Sequence, residues 1–178
     1  APSDAYTAKG LLSAAIWDDN PVVVFDHKRL LARRCVVPED DYQWPIGKAR
    51  ILREGSDVSL IGISYMTVVC QKAADLLAKD GISAEVVDVL SLSPLDEDTL
   101  LSSVRKTHRA VIVDEDNPRC GMAVDIAALI ADQAFDYLDA PVKSVTAPHT
   151  PVPASRVLEQ EYIPNDEKVA STARLLFG

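Results

Sequence analysis

The sequence predicts an α/β fold with three layers, α/β/α, in which the sheet is mostly parallel and has one antiparallel edge strand. From residue 48 onward, short β-branched runs alternate with helical stripes of apolar residues, a pattern typical of βαβ units. The runs 58–63 and 111–113 are almost continuously apolar, as expected of strands covered on both faces. The run 49–52 leads into a turn too short for a crossover helix, so we expect this strand to lie antiparallel at an edge.

The predicted elements begin with a helix. Asp4 is a suitable N-cap, and apolar residues recur at helical spacing as far as Ile16. The polar turn before Pro21 ends this helix, and the apolar run Val22–Phe25 is predicted to be a strand. Strands and helices then alternate, with strands predicted at 49–52, 58–64, 84–90, 110–114 and 142–146 and helices at 66–79, 95–106, 122–138 and 168–177.

The first predicted helix has an apolar stripe but nothing before it in the chain to pack against. The strand predicted at 22–25 likewise needs neighbours on both edges, and none can precede it. We therefore expect that the chain begins inside a domain whose earlier part is missing.

Composition restricts the classes of partner. The net charge is −9 and the pI is near 4.7, which disfavours binding to nucleic acid or to an anionic membrane. An acidic face suits a basic protein partner instead. No apolar run approaches the roughly 20 residues that span a bilayer. Three scattered cysteines are too few for a disulfide framework, so a reducing cytoplasm is expected.

Few residues suggest chemistry. Neither of the glycine-rich phosphate-binding motifs is present, which makes nucleotide binding a weak hypothesis. His27 follows a predicted strand at its carboxyl end, where open α/β sheets bind ligands, so it is a candidate for a position near an active site. The carboxylates at 114–116 suit helix capping better than acid–base catalysis, and His149 lies in a proline-rich segment that suits a turn or a surface read by another chain.

The end of the first helix is a candidate cation site. The last turn of a helix leaves up to four carbonyls without partners, and the helix dipole makes that end negative. Main-chain oxygens at Ala15, Ile16, Asp18 and Asn20 could converge on a hard cation, which prefers oxygen ligands. Hydration of the same carbonyls by water is the alternative.

Several motifs resemble, in order, those of the β subunit of the thiamine diphosphate-dependent decarboxylating component of 2-oxoacid dehydrogenase complexes. They are Ala8-Lys9-Gly10-Leu11-Leu12, Pro45-Ile46-Gly47-Lys48-Ala49, Glu85-Val86-Val87-Asp88, Ser93-Pro94-Leu95-Asp96, Leu138-Asp139-Ala140-Pro141 and Thr150-Pro151-Val152-Pro153. The segments 117–120 and 147–153 most resemble the acetoin dehydrogenase branch.

The resemblance implies a domain organisation and a function. Residues 1–27 would be the last helix and strand of a pyrimidine-binding domain, 28–46 a linker, and 47–178 a transketolase C-terminal-like domain. The intact enzyme would cleave acetoin or a 2-oxoacid with thiamine diphosphate and Mg, and would transfer the acyl group to the lipoyl arm of an acyltransferase core. Its partners would be an alpha subunit and a second beta subunit, in a heterotetramer.

The resemblance also bears on site residues. No catalytic or cofactor-binding residue is assigned to this chain, which we expect to be inactive alone, with His27 as a candidate for a position near the active site. A potassium ion would be held by main-chain oxygens of Ala15, Ile16, Asp18 and Asn20. Three alternatives stay open: a pyruvate or branched-chain 2-oxoacid dehydrogenase subunit, a free-standing ligand-binding module using the loop 114–121, and another transketolase-like enzyme such as a deoxyxylulose phosphate synthase.

Overall fold

The core of the molecule is a five-stranded sheet. The computed structural model describes residues 1–178 and places the strands in the order β1-β3-β2-β4-β5. The strand bounds are β1 Arg50–Arg53, β2 Val58–Gly62, β3 Ala84–Asp88, β4 Ala110–Val113 and β5 Lys143–Val145. Strands β2 to β5 are parallel, whereas β1 runs antiparallel to β3 and pairs Arg50 with Asp88. The predicted parallel sheet with one antiparallel edge strand is confirmed.

Helices cover both faces of the sheet. The helix bounds are α1 Ala5–Trp17, α2 Tyr65–Lys79, α3 Glu97–Thr107, α4 Met122–Gln133, α5 Arg156–Tyr162 and α6 Asp166–Arg174. One hydrophobic cluster joins α2 and α6 to the sheet through residues such as Leu60 and Ala173. A second cluster, which includes Ile61 and Ile126, joins α3 and α4 to the opposite face. Because neighbouring strand residues point to opposite faces, Leu60 and Ile61 enter different clusters, and the predicted three layers are confirmed.

Helix α1 begins at the predicted cap. The Asp4 carboxylate accepts a hydrogen bond from the Thr7 N–H at 2.8 Å, and the Thr7 hydroxyl lies close enough to complete a capping box. Leu11 on α1 is buried, but Ile16 and Trp17 near its end are 71% and 76% exposed. The apolar stripe that predicted this helix is therefore only partly covered.

The irregular segment after α1 folds back onto the helix. The Trp44 N–H donates to the Gly10 carbonyl at 3.0 Å, and the Tyr42 ring stacks on Tyr6 with centroids 4.7 Å apart. A Cβ at Gly10 would lie 2.9 Å from the Trp44 nitrogen, so glycine is needed for this approach. The Lys9 ammonium donates to the carbonyls of residues 38–40 at 2.6 to 3.2 Å. These contacts explain why lysine and glycine follow each other in the first motif.

The strand predicted at Val22–Phe25 is wrong. These residues form no regular element and pair with no strand of the sheet. An apolar run becomes a strand only where a neighbouring strand offers backbone hydrogen bonds. Here the run instead passes beside the loop Leu90–Pro94, and the two segments line a cavity of about 440 Å³.

Other boundaries differ from the prediction by a few residues. Helix α3 begins at Glu97, two residues later than predicted, with Asp96 as its N-cap. The helix predicted over 122–138 ends at Gln133 and is followed by a 3₁₀ turn, Phe135–Tyr137. Helix α5 was not predicted, because most of its apolar side chains are exposed and give no helical stripe. The division into 1–27, 28–46 and 47–178 stays a prediction.

None of the helices has the length and apolar composition needed to cross a membrane.

Candidate functional site

The sheet topology creates a crevice between the carboxyl ends of β2 and β4. Strand β2 leads into α2 on one face, and its neighbour β4 leads into α4 on the other face. Open α/β sheets bind ligands where successive connections diverge in this way. A cavity of about 310 Å³ lies at this point, between Ile63 and Ser64 after β2 and residues 114–116 after β4. We call it the β2–β4 crevice.

Close backbone approach brings α2 to the edge of this crevice. A Cβ at Gly62, the last residue of β2, would lie 2.6 Å from the Thr67 Cα in the first turn of α2. Only glycine therefore permits the sharp turn from strand to helix. Ser64 in this turn has a φ of 51°, a left-handed conformation that is unusual for serine. The turn places Tyr65 at the start of α2, next to the crevice.

His27 lies at the crevice, although the strand predicted before it is absent. Its Nε2 is 2.7 Å from Oε2 of Glu115, and its ring stacks on Tyr65 with centroids 5.0 Å apart. The Arg29 N–H donates to Nδ1 at 3.2 Å, so Nδ1 is an acceptor and the proton of a neutral imidazole lies on Nε2. The Nε2–H then donates to the Glu115 carboxylate.

Arg29 completes the attachment of the segment 25–29, which we call the strap. Its guanidinium lies over the Tyr65 ring at 5.7 Å and pairs with Glu159 of α5 at 3.3 Å. Side-chain contacts thus attach the strap to the loop after β4, to α2 and to α5. His27 makes two of these four contacts.

Two buried carboxylates lie near the same edge of the sheet. Burial raises the pKa of Asp114, the first residue after β4, although backbone N–H groups of Asp116 and Ala123 favour the ionised form. Asp88, the last residue of β3, is fully buried, and burial raises its pKa to about 6. Asp88 accepts hydrogen bonds from Ser3 Oγ at 2.5 Å and Thr67 Oγ1 at 3.0 Å.

Arg50 joins Asp88 to the start of α1. Its Nη2 lies 3.2 Å from Asp88 Oδ2 and 2.8 Å from Asp4 Oδ2. This cluster of Ser3, Asp4, Arg50, Thr67 and Asp88 connects α1, β1, α2 and β3. The sequence alone did not reveal this cluster, and its one signal was the carboxylate of Asp88 directly after the apolar run Val86–Val87.

The last turn of α1 and the residues after it are mostly exposed to solvent. Asp18 follows the helix in an extended conformation, and no basic residue lies in the last turn. The Asn20 N–H and Nδ2 both donate to Asp18 Oδ1, at 2.8 and 3.0 Å, which folds residues 18–20 into a tight turn. Ala15 is partly exposed, and Ile16, Asp18 and Asn20 are exposed. The donor set is one of main-chain oxygens, which suits a hard cation such as potassium.

The remaining histidines lie apart from His27. The His149 Nδ1 is 2.9 Å from Asn117 Oδ1, so the proline-rich segment meets the loop after β4. His108 ends α3 in a left-handed conformation, and its Nδ1 lies 2.8 Å from the Tyr137 carbonyl oxygen. The three cysteines are free, as expected, with Cys35 and Cys120 exposed and Cys70 buried.

Replacing His27 by alanine is expected to free the strap. Loss of the hydrogen bond to Glu115 and of the stacking on Tyr65 lowers the free energy that holds the strap in place by about 1 to 2 kcal/mol. The fraction of molecules in which the strap is detached then rises roughly tenfold. Limited trypsin digestion would measure this, since the strap and the residues after it contain Lys28, Arg29, Arg33 and Arg34. His108→Ala is the matched control. Equal cleavage of both variants at 28–34 would show that His27 does not hold the strap.

The fold and the crevice identify the class of molecule. It is an open α/β domain whose candidate site lies at the carboxyl ends of parallel strands. The chain belongs to the family described as Transketolase, C-terminal domain, which matches residues 47–169. The resemblance drawn from the motifs is confirmed.

The chain is similar in sequence to beta subunits of known dehydrogenases and oxidoreductases. The chain is 52% identical over 177 residues to acetoin:2,6-dichlorophenolindophenol oxidoreductase subunit beta of Bacillus subtilis, covering 99% of this chain and 52% of that protein. It is 48% identical over 174 residues to pyruvate dehydrogenase E1 component subunit beta of the same organism, covering 97% of this chain and 53% of the relative. The chain thus spans about half the length of the curated relatives it matches.

A solved structure is similar as well. A split-gene transketolase, described as an inactive β4 tetramer, has a TM-score of 0.64 and 26% sequence identity, over 76% of this chain and 43% of that chain. This similarity supports the transketolase C-terminal-like fold.

Proposed function

We propose that the chain is the C-terminal half of the beta subunit of a thiamine diphosphate-dependent acetoin or 2-oxoacid dehydrogenase. The observation that carries this proposal is the 52% identity to the acetoin oxidoreductase beta subunit over nearly the whole chain. Identity to the pyruvate and 2-oxoisovalerate subunits is 48% and 40%, which favours acetoin as substrate. The intact enzyme would cleave its substrate and transfer the acyl group to a lipoyl arm.

In this proposal the chain assembles the enzyme and does not carry its chemistry. At the β2–β4 crevice the His27 imidazole is engaged with Glu115, and the other charged side chains of the walls, Asp26, Asp114 and Asp116, are carboxylates. Walls of this kind do not fit the diphosphate of thiamine diphosphate, which we therefore assign, together with its Mg, to other parts of the intact complex. We assign no catalytic step to any side chain of residues 1–178.

We propose the alpha subunit, a second beta subunit and an acyltransferase core with its lipoyl domain as partners, in the cytoplasm. Ile16, Trp17, Val23 and Phe25 form an apolar surface at the end of α1 and the start of the strap, with exposures of 61% to 76%. Exposed apolar surface of this kind typically belongs to an interface. It supports a role in joining subunits.

The direct test is to produce the full-length beta subunit together with its alpha subunit. We expect acetoin-dependent reduction of 2,6-dichlorophenolindophenol that requires thiamine diphosphate, with kcat/KM higher for acetoin than for pyruvate or 2-oxoisovalerate. A preference for either 2-oxoacid would reassign the substrate. Absence of activity with all three would contradict the proposal.

The alternative of a free-standing binding module makes a different prediction. Calorimetric titration of the 178-residue chain with thiamine diphosphate, acetoin and ATP is expected to give no binding in the micromolar range. Micromolar binding that is lost when the loop 114–121 is altered would favour the module.

We also propose a potassium site at the end of α1, with main-chain oxygens of Ala15, Ile16, Asp18 and Asn20 among the ligands. The negative end of the helix has no basic residue in its last turn, and the Asn20 N–H bond to Asp18 folds the loop back at this point. These features support a monovalent cation held by carbonyl groups.

Potassium is expected to stabilise the chain. For a dissociation constant of about 10 mM, 100 mM KCl would add roughly 1.4 kcal/mol to the free energy of unfolding. Thermal unfolding in 100 mM KCl and in 100 mM tetramethylammonium chloride, at equal ionic strength, would measure the difference. In Asn20→Ala, which loses the side-chain hydrogen bond to Asp18, the difference is expected to shrink. Equal unfolding temperatures in the two salts would contradict this site.

A further inference from the structure

A small cavity lies where residues 33–35 pass over the beginnings of α1 and α2. Its volume is about 120 Å³. The walls include Arg33 and Arg34, residues 3–5 at the start of α1, and Thr67 and Gln71 of α2. We call it the arginine cavity, and it is separate from the β2–β4 crevice.

Both arginines at this cavity lack a partner. No ion pair of the chain includes Arg33 or Arg34, although Arg29, Arg50 and Arg53 are each paired with a carboxylate. Neither guanidinium makes a hydrogen bond within the molecule, and both residues are exposed. The segment 28–35 contains four basic residues and no acidic one, in a chain whose net charge is −9.

The one carboxylate in the cavity wall is already neutralised. Asp4 accepts hydrogen bonds from the Thr7 N–H and from Arg50 Nη2, each at 2.8 Å. Although burial opposes it, these bonds hold the pKa of Asp4 below its usual range. Asp4 is therefore committed to capping α1 and to Arg50, and it leaves Arg33 and Arg34 without a counterion.

The chemistry of the cavity fits an oxyanion. Two arginines that are adjacent in the chain line the cavity, and guanidinium groups offer several N–H donors of the kind that bind phosphate. The amino end of the 13-residue helix α1 lies in the same wall and adds a favourable dipole. The volume admits one phosphate group but no large ligand. We propose that the arginine cavity binds a dianionic phosphate group, either free inorganic phosphate or the phosphate of a small phosphomonoester.

The affinity is expected to be modest. Two charge-assisted contacts correspond to a dissociation constant of about 1 mM, and the negative charge of the rest of the chain keeps it from being tighter. The proposal is independent of the proposed dehydrogenase function, because it rests only on Arg33, Arg34 and the cavity walls.

The test is a titration of the 178-residue chain with sodium phosphate, followed by ¹H–¹⁵N NMR at pH 7.5 and constant ionic strength. We expect saturable shifts at residues 3–5, 33–35 and 71, and at least tenfold weaker binding in Arg33→Gln/Arg34→Gln. The control is Arg119→Gln/Arg156→Gln, which removes the same charge from two exposed arginines without ion pairs. Its dissociation constant is expected to be unchanged.

A second titration with glycerol 3-phosphate distinguishes a phosphomonoester from free inorganic phosphate as the ligand. Tighter binding than inorganic phosphate would assign the cavity to a phosphomonoester, and weaker binding would assign it to free phosphate. Either result supports a phosphate site, provided that Arg33→Gln/Arg34→Gln weakens it. No saturation by 50 mM phosphate, or equal weakening in both double variants, would overturn the proposal.

Discussion

Replacing Lys106 by methionine is expected to lower the free energy of unfolding by about 3 kcal/mol. Lys106 of α3 pairs with Glu85, which lies on β3 and is 1% exposed. It also contacts the exposed Glu54 at 2.7 Å, and its hydrogen bonds to Glu54 and Glu85 raise the pKa of Lys106. Removing one partner of a buried ion pair leaves an uncompensated charge, which costs about 3 to 5 kcal/mol. Partial exposure of Lys106 places the value at the lower end.

Urea unfolding at pH 7 would measure this loss. Lys72→Met is the matched control, because Lys72 is exposed on α2 and belongs to no ion pair, so a change below about 0.5 kcal/mol is expected. The double variant Glu85→Gln/Lys106→Met should recover most of the loss, since the buried group is then neutral and can still accept from the Gly55 N–H. A loss in the double variant as large as in Lys106→Met would refute the explanation by buried charge.

The layers and sheet topology follow from patterns that are local in the sequence. Strands β2 and β4 are buried on both faces, so their apolar runs are almost continuous and easy to recognise. The turn after β1 is too short for a helix, and this alone predicted an antiparallel edge strand. Steric and hydrophobic constraints of short range therefore determine most of the domain.

Elements that depend on distant contacts were not predictable in the same way. Val22–Phe25 has the composition of a strand, yet it pairs with no strand, because composition does not reveal whether a partner edge is nearby. Helix α5 has no buried residue and is attached by polar contacts such as Arg29 with Glu159. No apolar periodicity exists there to predict a helix.

The candidate site was likewise predictable from the sequence only in part. The carboxyl end of a strand was a useful guide for the residues after β4, since the sheet topology creates the crevice, whereas His27 reaches the crevice without the strand that was predicted before it. The partners of His27 are 38 and 88 positions away in the chain, at Tyr65 and Glu115, and no spacing rule connects them. The Asp88 cluster gathers residues 3, 4, 50 and 67, and it became visible only in the folded chain.

Asp88 is expected to make stability depend on pH between about 4 and 6. Its pKa is 3.8 in the absence of the fold, and burial raises it to about 6 against the opposing effects of Ser3, Arg50 and Thr67. A carboxyl group with a raised pKa in the folded state favours folding most when both states are protonated, below about pH 4. That contribution is lost as pH rises through 6, and the shift corresponds to about 3 kcal/mol.

Asp88→Asn isolates this effect from the other carboxylates. The amide cannot ionise, so the free energy of unfolding of the variant minus that of the wild type should increase by about 3 kcal/mol between pH 4 and pH 7. Subtracting the two curves cancels the opposite slopes of Asp4 and Asp96, whose pKa values are lowered by the fold. Asp132→Asn, at an exposed position on α4, should give a difference that is flat over the same range. A flat difference for Asp88→Asn would mean that Arg50 and the two hydroxyl groups fully compensate for the burial of the carboxylate. The cluster would then be a fixed anchor for the start of α1, insensitive to protons.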